Sequence, residues 1–149
     1  MVTTVFCSVY LFLISLCDIR YLKIPNGMLV ALFTSVFCSD ISHEYGNIIE
    51  RLLCALLFGI LLFFIAAVTK GLGAGDIKLM TVIGYCYGFI KSLLILGAAV
   101  IGGMLFCLFY CSFRKRTKII PFAPFIFLGF LFTQVFFSDV LCIFVKRLY

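Results

Sequence analysis

Charge is what this sequence has least of. Twelve Lys and Arg and six Asp and Glu make eighteen charged residues in a chain of 149, or 12%. A soluble domain carries charge on about a quarter of its residues, so an ordinary water-facing surface is excluded. Linkers are missing as well: no Gly/Ser-rich stretch, long repeat or low-complexity run interrupts the chain outside its apolar segments. The first apolar stretch has no early Lys or Arg and no Ala-x-Ala cleavage site, so it reads as a retained span and not as a secretory signal. No two of the eight cysteines have the CxxC spacing, which removes the usual signature of a structural zinc site or a redox pair.

What fills the chain is apolar. Hydrophobic residues make up 65%, including nineteen Phe and seven Tyr, and the mean hydropathy is +1.28. That composition is the opposite of a disordered one. A membrane helix takes roughly 20 residues and its connections a few more, so about six spans consume the chain. The expected fold is therefore all-α: one polytopic integral membrane domain over residues 1–149 with about six transmembrane helices. Apolar segments fall near 2–17, 27–39, 48–68, 77–90, 92–113 and 119–138, the last extending toward 145. The second and fourth are short for spanning helices, and a five-span arrangement with one re-entrant segment is the alternative.

The basic residues orient these spans. Connections after spans 1, 3 and 5 share one side and hold Arg20, Lys23, Lys70, Lys78, Arg114, Lys115, Arg116 and Lys118. Those after spans 2 and 4 hold Arg51 and Lys91 with Asp40, Glu44 and Glu50. The positive-inside rule then places the first set in the cytoplasm and the N-terminus outside, against a weaker opposite pull from Lys146 and Arg147. The net charge of +6 is explained by this asymmetry and implies no nucleic-acid partner. The Arg114–Lys118 cluster reads as an anchor at anionic headgroups, and His43 as a solvated residue on the outer side.

Small residues mark expected helix contacts. Gly84 with Gly88, and Ala98 with Gly102, have the spacing that lets helix backbones approach within one subunit. The cysteines, mostly inside apolar runs, are expected to pack as small apolar side chains. Cys107 and Cys111 share a helix face, but no His or carboxylate stands near them in sequence, so no metal site is implied.

Two acids stand apart. Asp18 closes span 1 in Leu16-Cys17-Asp18-Ile19-Arg20, and Asp76 opens span 4 in Gly73-Ala74-Gly75-Asp76-Ile77-Lys78. Span parity puts both at the same side of the membrane and at similar depth, where carboxylates are costly and indicate function. Two facing carboxylates cannot both ionise, so they share a proton. The ionised member activates a water against a peptide carbonyl while the protonated member donates to its oxygen. Structural roles remain open beside this one. Asp76 can act as an N-cap, and Asp18 can form an interfacial pair with Arg20. A helix N-terminus stabilises a carboxylate, which favours Asp76 as the ionised partner and Asp18 as the protonated one, a microstate of a coupled pair. Gly71, Gly73 and Gly75 form either a plain loop or a place where another backbone approaches closely. Ile24-Pro25-Asn26-Gly27 reads as a turn into span 2, with Asn26 as its cap. Lys78 either orients Asp76 or meets lipid phosphates.

These residues resemble a known family. Asp18-x-Arg20-x-x-x-Ile24-Pro25-Asn26 and Gly73-x-Gly75-Asp76-x-Lys78 are similar to the two signature motifs of type IV prepilin peptidases, which are GxGD-type membrane aspartyl proteases. Pro121-Phe122-Ala123-Pro124-Phe125 resembles the Pro-rich segment that opens the family's last conserved helix. The resemblance implies Asp18 and Asp76 as the catalytic pair, without metal or cofactor. It implies Gly73, Gly75, Lys78, Arg20, Pro25, Asn26 and Pro124 as residues that shape the site or meet substrate. It further implies a bacterial cytoplasmic-membrane enzyme that cuts the basic leader from prepilins or pseudopilins at the cytoplasmic face. With no CxxC and a short connection between spans 1 and 2, the chain resembles the peptidase-only form that lacks methyltransferase activity. Other classes stay in view: a small ion carrier using its intramembrane acids, a non-catalytic scaffold of a pilus or secretion complex, and a GxGD protease acting on other membrane proteins.

Overall fold

In the structure, a computed structural model, residues 2–43, 48–69, 73–113 and 121–148 are described, with the side chains of 4–38, 48–68, 73–110 and 121–136. Among the described residues the chain is helical, in five elements: α1 (Val2–Tyr21), α2 (Asn26–His43), α3 (Ile48–Thr69), α4 (Ala74–Phe113) and α5 (Ala123–Leu148). An apolar chain has a strong reason to be helical. Where water is absent, each main-chain N–H and C=O must be satisfied within the segment. Several hydroxyl side chains do the same. The hydroxyls of Ser8, Thr34, Ser35, Thr81 and Thr133 donate to carbonyls three or four residues earlier in their own helices.

Three stretches are long and apolar enough to cross a membrane: Thr4–Tyr21, Ile48–Val68 and Ala74–Tyr110, with shorter apolar helices at Asn26–Cys38 and Ala123–Phe136. The outer surface is correspondingly greasy. Phe63, Phe64, Val68, Ile90 and Phe109 are each about two-thirds exposed or more, far beyond the isolated apolar residues of a water-soluble surface.

The expected six segments become five helices, because segments 77–90 and 92–113 both lie in α4. Length and composition alone read α4 as one span, yet it is folded in two. Gly88 has φ 73° and ψ 178°, a conformation nearly restricted to glycine. The Ser92 hydroxyl donates to the Ile83 carbonyl at 3.1 Å, whereas nine residues of straight helix would separate them by about 13 Å. Residues 74–87 thus form one limb and 89–113 a second that turns back beside it. The first limb is about 21 Å long at 1.5 Å per residue, short of the roughly 30 Å of a hydrocarbon core.

Packing centres on α4, which lies against α3 and α5, while α1 packs on α5 and α2, and α2 returns to α4. The core is built from Leu11 and Ile14 of α1, Leu32 and Val36 of α2, Phe58 and Leu62 of α3, Leu79, Ile83, Tyr85 and Ile95 of α4, and Ile126 and Phe130 of α5. Lipid is as apolar as leucine, so contact between helices depends on close packing. Gly84 supplies it as expected: a Cβ there would lie 3.3 Å from Phe58 Cβ and 3.5 Å from Ala55 Cα. Its expected partner Gly88 does not, since it has nothing within 4 Å and serves the bend. The tightest crossing is at Gly129, where a Cβ would stand 2.6 Å from the Ile95 carbonyl oxygen. Ala98 and Gly102 do face α5, at Gly129 and Phe125. Of the cysteines, Cys7 is buried in the core as expected, Cys17, Cys54, Cys86 and Cys107 are half-buried, and Cys38 is exposed instead of packed.

Candidate active site

Asp18 and Asp76 are brought to the same end of the bundle, as span parity requires. Asp18 lies in the last turn of α1 and is only 7% exposed. Its Oδ2 accepts a 3.0 Å hydrogen bond from the main-chain N–H of Ala123, the first residue of α5. Asp76 lies in the first turn of α4 and is half-buried. The two carboxylates are close enough for the charge of Asp18 to act on Asp76.

The expected role of Asp76 as an N-cap is corrected. α4 begins at Ala74, and it is the Gly73 carbonyl that accepts from the N–H groups of Asp76 at 3.1 Å and Ile77 at 3.3 Å. Asp76 occupies the third helical position, and its carboxylate turns back over Gly73. A Cβ on Gly73 would stand 3.0 Å from Asp76 Oδ2, so the glycine makes room for the acid. Gly75 has a different duty: a Cβ there would meet Ile24 Cβ at 3.2 Å and its Cγ1 and Cδ1 at 3.3 Å. Neither glycine has positive φ. Their side-chain-free surfaces are used by this chain's own Asp76 and Ile24. Gly71 lies outside the described residues.

Ile24 belongs to the turn after α1. Leu22 takes φ 53°, and its N–H donates to the Asp18 carbonyl at 2.9 Å, closing α1 with a left-handed residue. The chain then runs through Lys23 and Ile24 to Pro25, whose carbonyl accepts from Met28 N–H at 3.1 Å and starts α2. Asn26, expected to cap α2, instead accepts through Oδ1 a 3.3 Å hydrogen bond from Lys78 Nζ. Lys78 thus reaches across to α2. The two motifs are therefore joined twice, by Gly75 on Ile24 and by Lys78 on Asn26.

Arg20 is not drawn in. It is exposed, with its guanidinium 6.0 Å from the ring centroid of Tyr21, and the expected Asp18–Arg20 pair is replaced by the bond from Asp18 to Ala123. Pro124 sits in the first turn of α5, where a missing N–H is tolerated. Phe122 and Phe125 beside it pack on Gly103 of the second α4 limb. Helix-end electrostatics singled out Asp76 from the sequence, but both acids stand at helix N-termini. That argument therefore does not divide a shared proton between them. Lys70, Glu44 and the Arg114–Lys118 cluster lie outside the described residues, as do the side chains of Asp40 and His43.

Two sites escaped the sequence reading. Ala123 acts through its main-chain amide, which carries no residue-type signal. Ile24 was visible as part of a turn and of the first motif, but nothing local reveals its contact with Gly75.

Among the described residues the chain is thus all-helical and apolar-faced, with two carboxylates at one end of its helices. Residues 5–108 match the type IV leader peptidase family, and the chain belongs to that family. It is similar to the prepilin leader peptidase/N-methyltransferase of Bacillus subtilis (strain 168), at 30% identity over 148 residues. The match covers 91% of this chain but 56% of the relative, so the chain spans little more than half that protein's length. No solved structure matches it.

Proposed function

We propose that this chain is a membrane aspartyl endopeptidase that removes the basic leader from prepilin-like or pseudopilin precursors, with Asp18 and Asp76 as its acid pair. The observation that carries the reading is that these two carboxylates, from residues 58 positions apart in sequence, lie near enough for their charges to interact, in a chain of the leader peptidase family. One carboxylate takes a proton from a water as it attacks the scissile carbonyl. The other donates its proton to the carbonyl oxygen. Collapse of the tetrahedral species returns a proton to the leaving amine and leaves the pair ready for another cycle.

Supporting the membrane setting are the apolar outer faces of the helices and the bend at Gly88, which lets α4 supply two membrane segments. With those two limbs the chain makes six crossings, α1, α2, α3, both limbs of α4 and α5. The basic connections face the cytoplasm of a bacterial cell, and the acids lie on that side, where a precursor presents its leader.

The test is cleavage of a precursor by the purified full chain in detergent or lipid. The precursor carries a short basic leader joined through glycine to an apolar helix. Wild type releases the leader, identified by mass. Asp18→Asn and Asp76→Asn each lose about 10²- to 10⁴-fold of the rate, the usual worth of positioned acid–base groups, with unchanged helical content. Full activity in both variants would remove the acid pair from the mechanism. Intact pilus or secretion assembly with either variant would favour a scaffold instead.

A further inference from the structure

The start of α5 contains an accounting of amides that points to a function. A helix begins with main-chain N–H groups that have no partner within it. Here Phe122 caps the helix, its carbonyl accepting from Phe125 N–H at 3.0 Å and Ile126 N–H at 3.2 Å. Pro124 has no N–H to satisfy. The first turn is left with one donor, the amide of Ala123, and Asp18 Oδ2 takes it at 3.0 Å across 105 residues of sequence. Both partners are buried, Ala123 at 1% and Asp18 at 7% exposure, so water does not compete for the bond.

We propose that the Ala123 main-chain amide is a positioning group for the acid pair. It rests on the peptidase reading and deepens it. The bond holds Oδ2 of Asp18, leaving Oδ1 as the oxygen for the attacking water and for the proton shared with Asp76. A carboxylate free to rotate about its Cβ–Cγ bond would present both oxygens interchangeably, and fixing one of them preorganises the pair. The sequence around Ala123 serves this end. Proline at 124 removes the neighbouring donor, and the Phe122 and Phe125 rings, each 3.7 Å from where a Gly103 Cβ would stand, seat the turn on the second limb of α4.

The experiment removes that N–H in the full-length chain by two routes. One replaces the Phe122–Ala123 peptide bond with an ester, by incorporating lactic acid at 123. The other is Ala123→Pro, which keeps the Phe122 amide carbonyl and places proline at the first helical position, where it is well tolerated. An ester at Phe125 serves as control, because it removes a helix-start hydrogen bond that does not involve Asp18. Cleavage kinetics are read with thermal unfolding. We expect both 123 variants to lower kcat by about 10- to 100-fold, the worth of one hydrogen bond to a charged group. KM should stay within about twofold by the same reasoning, since the bond does not touch substrate. The 125 ester should lower the unfolding temperature by a similar amount and leave kcat unchanged. If kcat is retained in either 123 variant, or falls equally in the 125 ester, the amide is only a helix cap and the positioning role is overturned. A wild-type chain that cleaves no leader precursor overturns the peptidase reading and this role together.

Discussion

The two ends of the bundle are built by opposite means. At the acid end, four helix termini meet through contacts between residues far apart in sequence: Asp18 with Ala123, Lys78 with Asn26, and Gly75 against Ile24. At the other end α4 reverses on one residue, Gly88, helped by the hydroxyl of Ser92 on the Ile83 carbonyl nine residues back and by the ring of Phe89 against Phe58, 5.6 Å apart. One end therefore depends on tertiary approach and the other on local backbone conformation. Substitutions at the first should change activity before stability, and at the second stability before activity.

Of Gly88 at one end and Gly75 at the other, the larger loss of stability from an added methyl group is expected at Gly88. There is open space around it, with nothing within 4 Å of a built Cβ, so Gly88→Ala meets no clash. Its φ of 73° with ψ of 178° is nonetheless almost closed to other residues, and holding alanine there costs about 1–3 kcal/mol. Thermal or denaturant unfolding in detergent should show that loss. Cleavage by the remaining folded enzyme should be near normal. A variant as stable as wild type would mean that the reversal does not need this conformation.

The acid end is tested by Gly75→Ala. Alanine in the first turn of α4 gains helix propensity, by about 0.5–1 kcal/mol, so stability should hold. The added Cβ would stand 3.2 Å from Ile24 Cβ, tight enough to move the α4 start by a few tenths of an ångström. Asp76 is the next residue and moves with it. A cleavage rate reduced about tenfold, with the unfolding temperature within about 2 °C of wild type, is the expected result. Loss of stability in step with rate would place Gly75 with Gly88, among residues that hold the fold together.

This contrast explains what could be read from the sequence. Span parity was enough to put Asp18 and Asp76 at the same end, because it depends only on counting apolar segments and basic connections. The glycines were harder. Gly84 and Gly88 form one GxxxG pair on paper, yet Gly84 packs on α3 and Gly88 makes a bend, since close approach and positive φ both select glycine and periodicity cannot separate them. Gly129, the tightest crossing, has only Thr133 at a four-residue spacing, a pairing weaker than two glycines and not singled out in the sequence. The Ala123 amide is a main-chain group, and its partner is 105 residues away. Asn26 has the side chain of a cap, and only tertiary structure shows Lys78 taking its oxygen.

Gly97 offers a control for both ends. It lies inside the second α4 limb, with no positive φ and nothing within 4 Å of a built Cβ. Gly97→Ala should therefore stabilise the chain by about 0.5–1 kcal/mol through helix propensity alone and leave cleavage unchanged. A loss like that of Gly88→Ala would show that open space and helical φ do not suffice to make a glycine replaceable here.

The smallest effect is expected at Lys78, although it is one of the links at the acid end. Its bond to Asn26 Oδ1 is 3.3 Å long and exposed, so the surroundings compete for both partners. Exposed interactions of this kind contribute less than about 1 kcal/mol. Lys78→Met keeps the stem and removes the ammonium, and should change the cleavage rate by less than about threefold by the same measure. Combined with Asn26→Ala, the two changes should couple by less than about 0.5 kcal/mol in a double-mutant cycle. Burial separates this link from the one between Asp18 and Ala123, so the cycle measures whether burial decides which tie at the acid end matters. A rate loss for Lys78→Met as large as that for Gly75→Ala would show that the exposed tie also sets the position of Asp76.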